Sequence, residues 1–452
     1  MVGSRVRNDT NRRTTPTGAA HRPTTMTQAL GLDFGTTNSA VSILDGDGTA
    51  RLARFPRGSD WFPTSPSVLY FDPPPRHTPG SGRVRAGHNA ITGYIEAETK
   101  GRFIQSLKSY LADPQFDGTS VGRRKHTLEE LITMIVRPLR EDATAALGPL
   151  PRRVIAGRPV MFSQAGKEKD NEFALARLRQ ALASAGFDDV TFEYEPVAAA
   201  HAYEQRLIAD EMVLVADFGG GTSDFTLIEV GPGRRGRASR EVIGTAGVAI
   251  AGDFFDRQIV RHAVAPHLGA GTHYISSLQK TLPVPTWPYA HLERWHHLSF
   301  LRTADTLEKL ERIASSAVPR GRIEGLIELI EEDLAFELHR AVQRAKIELS
   351  SQEATTFSFS AGTVDIRRAI TRAEFNGWIA EDLAAIASCV DGLLRDTTLA
   401  ASRVDRVFLT GGSSFVPAVR QIFIDRFGED RVTGGDEMTS VALGLALSAA
   451  RR

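Results

Sequence analysis

Two short segments constrain this chain more than any other feature: Asp33-Phe34-Gly35-Thr36-Thr37-Asn38 and Asp217-Phe218-Gly219-Gly220-Gly221-Thr222. Each follows an apolar run with strand character, Ala29-Leu30-Gly31-Leu32 or Val213-Leu214-Val215-Ala216. Each precedes another such run, Val41-Ser42-Ile43-Leu44 or Phe225-Thr226-Leu227-Ile228. Strand, glycine-rich bend and strand make a β-hairpin, not the strand-to-helix turn of a P-loop. One such hairpin is an ordinary tight turn. Two of them, half a chain apart, predict a duplicated lobe with a cleft between the copies.

The bends have the chemistry of a polyphosphate site. Glycine lets several backbone N–H groups converge on an anion, and Thr and Asn side chains add donors. An Asp at the end of each preceding strand suits a hydrated Mg²⁺, which takes few protein ligands. A third glycine turn, Gly411-Gly412-Ser413, follows the apolar run Val407-Phe408-Leu409-Thr410.

Composition narrows the class. Lys plus Arg and Asp plus Glu both number 54, so no charge excess points to nucleic acid or a membrane surface. No apolar run reaches the length of a membrane helix. The only cysteine, Cys389, excludes an internal disulfide and a cysteine-rich metal site, and suits a reducing, cytoplasmic setting. Residues 1–26 differ from the rest: up to Thr25 they carry five arginines against one acid, Asp9, with no apolar periodicity. They are expected to be a disordered tail, or to precede the true start at Met26.

Between the hairpins lie a polar, Pro-rich stretch from Pro56 to Gly87, a helix from Leu128, a strand near Val154–Gly157 and helical spacing over Gln164–Ala185. Glu195-Pro196 opens a further helix, with Pro at a favoured first-turn position. Residues 257–349 read as mostly helical, with an uninterpreted aromatic and His-rich patch at Trp287–Trp295. Thr371-Arg372-Ala373-Glu374 is a capping box that starts a long helix, and Val441–Ala449 forms a last helix of small residues.

The segments Gly31–Ser39, Glu195–Ala200, Asp217–Asp224, Gly252–Asp256 and Leu409–Ser414 together resemble the ATPase domain of the DnaK-type heat-shock chaperones, within the actin, hexokinase and heat-shock superfamily. They run in that family's order over about residues 29–450, and are most similar to the shorter YegD-like branch, which lacks the peptide-binding half. The resemblance implies an α/β fold: two ribonuclease-H-like lobes of the actin-like ATPase fold, with the nucleotide cleft between them. The expected division is 27–210 and 211–452, with a helical insert at about 257–349 in the second lobe.

The resemblance also implies roles. Gly35, Thr36, Thr37 and Asn38 would hold phosphates from the first lobe, and Gly219, Gly220, Gly221 and Thr222 from the second. Asp33, Asp217 and Glu195 would orient Mg²⁺ and the attacking water, mostly through other waters. Lys108 would face the γ-phosphate, Thr222 would assist catalysis, and Pro159 would relay nucleotide state between lobes. Gly252, Lys346, Ser350, Gly411, Gly412 and Ser413 would line the nucleoside side. That side departs from the family, where Glu, Lys, Arg and Ser occupy the helix positions held here by Gln343, Lys346, Ile347 and Ser350. Phe415 stands where the family has an arginine on the adenine, which leaves an apolar slot with Phe415 against the base.

Implied ligands are ATP or ADP with Mg²⁺, and implied partners a J-protein, an exchange factor or a client protein. The interdomain linker and peptide-binding half that follow the last ATPase-domain helix in the family are expected to be missing here. Three classes stay open: a slow, chaperone-like ATPase acting through partners, a sugar-type small-molecule kinase, and an actin-like filament former.

Overall fold

Two sheets that share one five-strand topology organise the chain. In the first, β1 (Leu30–Phe34), β2 (Asn38–Leu44) and β3 (Ala50–Leu52) form an antiparallel meander, and β4 (Arg153–Arg158) and β5 (Asp189–Tyr194) add in parallel on the other side of β1. A two-residue strand at Ser65–Pro66 also pairs with β2. The second sheet repeats the order with β6 (Glu211–Phe218), β7 (Ser223–Val230), β8 (Val242–Val248), β9 (Arg406–Thr410) and β10 (Val432–Gly434). This is the duplication that the twin hairpins predict, in the actin-like arrangement that the resemblance implies. The computed structural model describes residues 30–73, 82–97, 101–122, 124–162, 165, 167–234, 242–294, 298, 301–332, 334–434 and 439–449. The predicted tail at 1–26 lies outside them.

Both central strands are apolar because helices cover both sheet faces. From Val213 to Ala216 every residue is fully buried, and Leu30, Leu32 and Phe34 are 1% exposed. Helices Leu128–Leu147 and Glu168–Ser184 pack together on the first sheet. The Leu128 helix starts on a capping box in which Thr127 accepts from the Glu130 N–H.

Helices α1 (Glu195–Glu204) and α4 (Ser440–Ala449) join the two halves, with α2 (Gly252–Ile259) and α3 (Ala335–Ser351) lying between them in sequence. Residues of α1 and α4 share one apolar cluster with Ile155 of the first sheet and Val213, Val215 and Phe408 of the second. Their contact is backbone to backbone: a Cβ on Gly444 would lie 1.6 Å from the Ala198 carbonyl oxygen. The last helix also rests on the first sheet, where Ser42 Oγ donates to the Ala442 carbonyl at 2.5 Å. Residue 210 directly precedes β6, and the final helix lies against the first sheet.

Between 257 and 349 the described residues are mostly helical, as the composition suggests, but a few are strands. His273–Ile275, Thr281–Pro283 and Ala317–Val318 form a small antiparallel sheet beside helices Ala304–Ala314 and Arg320–Glu331. The described part of the aromatic patch forms a single short helix, Trp287–Leu292. Within the polar, Pro-rich stretch, Val68–Phe71 is a fully buried strand between Val84–Ala86 and Arg102–Gln105. The capping box at Thr371 is present, but its helix ends at Trp378 and a second one runs from Ala380 to Asp396.

Candidate functional site

The hairpin bends face one another across a cavity of about 340 Å³. Its lining includes Gly35, Thr36, Thr37 and Asn38 from the first bend and Gly219, Gly220 and Thr222 from the second. Each bend is tight. A Cβ on Gly35 would lie 2.1 Å from the Asn38 carbonyl oxygen, and the Gly219 N–H donates to the Thr222 carbonyl at 2.9 Å. A Cβ on Gly220 would stand only 3.3 Å from Thr37 Oγ1 and 3.4 Å from Thr36 Cβ, so the two bends nearly touch.

Acids and one lysine form the floor. Asp33 and Asp217 stand at equivalent ends of β1 and β6, and Asp217 pairs with Asp224 across the second hairpin. Glu195 opens α1, and its Oε1 lies 2.6 Å from Lys108 Nζ in a buried ion pair. Burial, reinforced by Glu195, pushes the Asp33 carboxyl up to about 7. The same causes push Asp224 to about 7 and hold Asp217 well above the usual carboxylate range. Burial pulls the Lys108 ammonium down, but Glu195, Asp33 and Asp217 outweigh it and hold its pKa above the ordinary lysine value. Taken without the resemblance, Lys108 reads as a surface lysine; it is 8% exposed and lines the cavity.

Pro159 also lines the cavity, on the loop that follows β4. That loop is gripped from both sides. Arg158 donates to the Pro159 and Val160 carbonyls at 3.1 and 3.2 Å, and Asp224 Oδ1 accepts from the Val160 and Met161 N–H groups at 2.8 and 3.3 Å. Asp224 thus ties the second sheet to the first.

The remaining wall comes from Gly252 and Asp253 of α2, from Gln343, Lys346 and Ile347 of α3, and from Gly411, Gly412 and Ser413. Gly411 adopts a φ of 84°, and a Cβ there would lie 2.1 Å from the Phe218 carbonyl oxygen. Burial and Asp256 raise the Asp253 carboxyl to about 6. Gly221, Ser350 and Phe415 are not among the lining residues. Ser350 Oγ turns back to its own helix at the Lys346 carbonyl, and Phe415 is 53% exposed on the turn after Ser413. Asp224 and Asp253 were missed as site residues. The hairpin could have revealed Asp224, because a four-residue bend places it opposite Asp217.

Among the described residues no three His, Cys, Asp or Glu side chains are grouped to hold a metal directly, and no helix is long and apolar enough to cross a membrane. The chain matches the family model described as Hsp70 protein over residues 29–271 and 322–451, leaving out the segment that carries the small three-stranded sheet. It is 27% identical over 443 residues to "Chaperone protein DnaK" of Deinococcus deserti and, equally, to that of Deinococcus proteolyticus. Each alignment covers 94% of this chain and 59% of the relative, so the chain spans somewhat over half the length of these proteins. With the family model matched on both sheets and on every wall of the cavity, this chain belongs to the Hsp70 family.

Proposed function

We propose that the chain binds Mg·ATP in this cavity, hydrolyses it slowly, and changes lobe closure with nucleotide state in the manner of a chaperone ATPase. One observation carries the reading: two glycine-threonine bends converge above Lys108 and a buried group of carboxylates. Facing loops of this kind supply donors to a polyphosphate from both lobes. Four buried acids (Asp33, Glu195, Asp217 and Asp224) share one lysine, and that charge excess fits a divalent cation. Asp33, Asp217 and Glu195 would hold Mg²⁺ largely through water, as this ion prefers. When bound, the metal would neutralise charge on the β- and γ-phosphates.

The chain's own groups would do the rest. Thr36, Thr37, Asn38, Gly219, Gly220 and Thr222 bind and orient the phosphates. Lys108, steadied by Glu195, places a cation where negative charge grows during transfer. The loop at Pro159, tied to Asp224, would pass a change at the phosphates to the other lobe. The nucleoside would rest on the wall of Gln343, Lys346 and Ile347. A cytoplasmic protein working with a J-protein, an exchange factor or a client agrees with the relatives' name and the single cysteine.

Isothermal titration with Mg·ATP, ADP and GTP, together with single-turnover hydrolysis, tests the reading. Micromolar adenine-nucleotide binding and slow hydrolysis are expected. Absence of ATP binding would sink it. Phosphate release that requires an added sugar would instead favour a kinase.

A further inference from the structure

A polar subsite is built into the wall of the cavity on the side away from Lys108. Lys346 Nζ donates to the Gly252 carbonyl at 3.1 Å and lies 2.8 Å from Asp256 Oδ1. A methyl group added to Gly252 would stand 2.8 Å from Ser413 Oγ, 3.3 Å from Lys346 Nζ and 3.7 Å from the Gly219 carbonyl oxygen. Three polar atoms therefore converge on a space that only glycine leaves open.

Behind the lysine the protein is dry. Asp256 is 4% exposed, and among the described residues neither of its oxygens has a well-directed hydrogen bond, so its charge depends on Lys346. His339, also buried and one helical turn before Gln343, is pushed down to about 4 by burial, against the pull of Asp256, and is neutral. It brings no rival cation to Asp256.

We propose that Asp256 is a positioning residue for the nucleotide: it pins the Lys346 ammonium against the Gly252 carbonyl, so that Lys346 and Ser413 present one polar subsite to the non-phosphate part of the ligand. The inference rests on the nucleotide reading above. The phosphate donors lie in the two bends and at Lys108, whereas Lys346 shares its wall with Ile347, a 67% exposed apolar side chain unsuited to a triphosphate. A donor beside an apolar surface fits a sugar hydroxyl next to a base. An ammonium released from Asp256 would swing on its four-carbon stem, and the subsite would lose its shape.

Two measurements on the full chain test this. In the absence of nucleotide, amine acetylation read by mass spectrometry reports the exposure of Lys346. Asp256→Asn is expected to speed its labelling roughly tenfold, the scale of one lost charge-assisted contact, and Asp256→Glu to restore most of the protection. Unchanged labelling of Lys346 in Asp256→Asn overturns the proposal. In titrations, Asp256→Asn and Lys346→Met should each weaken ATP roughly tenfold while leaving tripolyphosphate binding unchanged, and the double variant should match Lys346→Met alone. Equal losses for ATP and tripolyphosphate, or additive losses, would mark Asp256 as merely structural. If the wild type binds tripolyphosphate and ATP equally weakly, the nucleotide reading fails, while the labelling still decides whether Asp256 holds the lysine.

Discussion

Tyr94 and Phe336 meet edge to face with their ring centres 5.3 Å apart, joining a helix inserted in the first half of the chain to the helix that walls the cavity. The Tyr94 hydroxyl donates to Glu337 Oε2 at 2.9 Å, and Phe103 packs on Phe336 with centres 4.4 Å apart. Tyr94 is fully buried and Phe336 is 8% exposed, so the contact is a dry aromatic cluster. Ten residues further along the same helix, Lys346 and Ile347 line the cavity. Phe336→Ala should loosen this wall and release a fluorescent ADP about tenfold faster, a change of about 1.4 kcal/mol. Stopped-flow displacement measures it, and a wild-type rate would show that the cluster does not govern release.

Lys108 gives the sharpest chemical prediction. Its ion pair with Glu195 is buried, so Lys108→Ala leaves a carboxylate without its cation and removes the positive charge proposed to face the phosphates. Single-turnover hydrolysis should slow by about 10²- to 10³-fold, the usual cost of one preorganised donor. ATP affinity should change far less. Hydrolysis at the wild-type rate would remove Lys108 from the chemistry.

Stability should depend on pH in an unusual direction. Asp33 and Asp224 have folded-state values of about 7 against an ordinary 3.8. Between these values the folded state holds protons that the unfolded chain has released. Their contribution is therefore complete below pH 3.8 and is lost as pH rises through about 7. The nucleotide-free protein should lose urea stability between pH 5.5 and 8, and added Mg²⁺ should raise Tm more at pH 8 than at pH 5.5. A Mg²⁺ effect independent of pH would contradict the role given to these acids.

Much of this was legible because it is local. A hairpin needs only a few consecutive residues, so both glycine-threonine bends and the strands beside them could be read directly. The capping boxes at Thr127 and Thr371 are local in the same way, although only the second was read in advance. Lys108 is the opposite case, because its buried partner Glu195 lies 87 positions away, and nothing near it in sequence signals that. The strands at His273–Ile275 and Ala317–Val318 are too short to show a period of two. Val68–Phe71 is buried on both faces, so its alternation is absent, and it lies within a stretch dominated by Pro and polar residues. Phe415 was placed against the base by analogy of position; the turn that carries it leaves the ring half in solvent, outside the cavity lining.

Gly444 tests the crossing of the last helix with α1. A side chain there would collide with the Ala198 backbone, which cannot move without shifting α1 and with it Glu195. Gly444→Ala should cost about 1–3 kcal/mol, the usual range for overpacking. Urea unfolding measures it, and an unchanged midpoint would mean that the helices separate freely.

That crossing also has a consequence for how the molecule is made. The first sheet is strung from residues 30–194, yet part of its cover is α4, at 440–449. On a ribosome the early strands emerge long before the helix that rests on them. The Gly31 and Ser42 face of the first sheet therefore stays open until residues 440–449 have been synthesised, some 400 positions later.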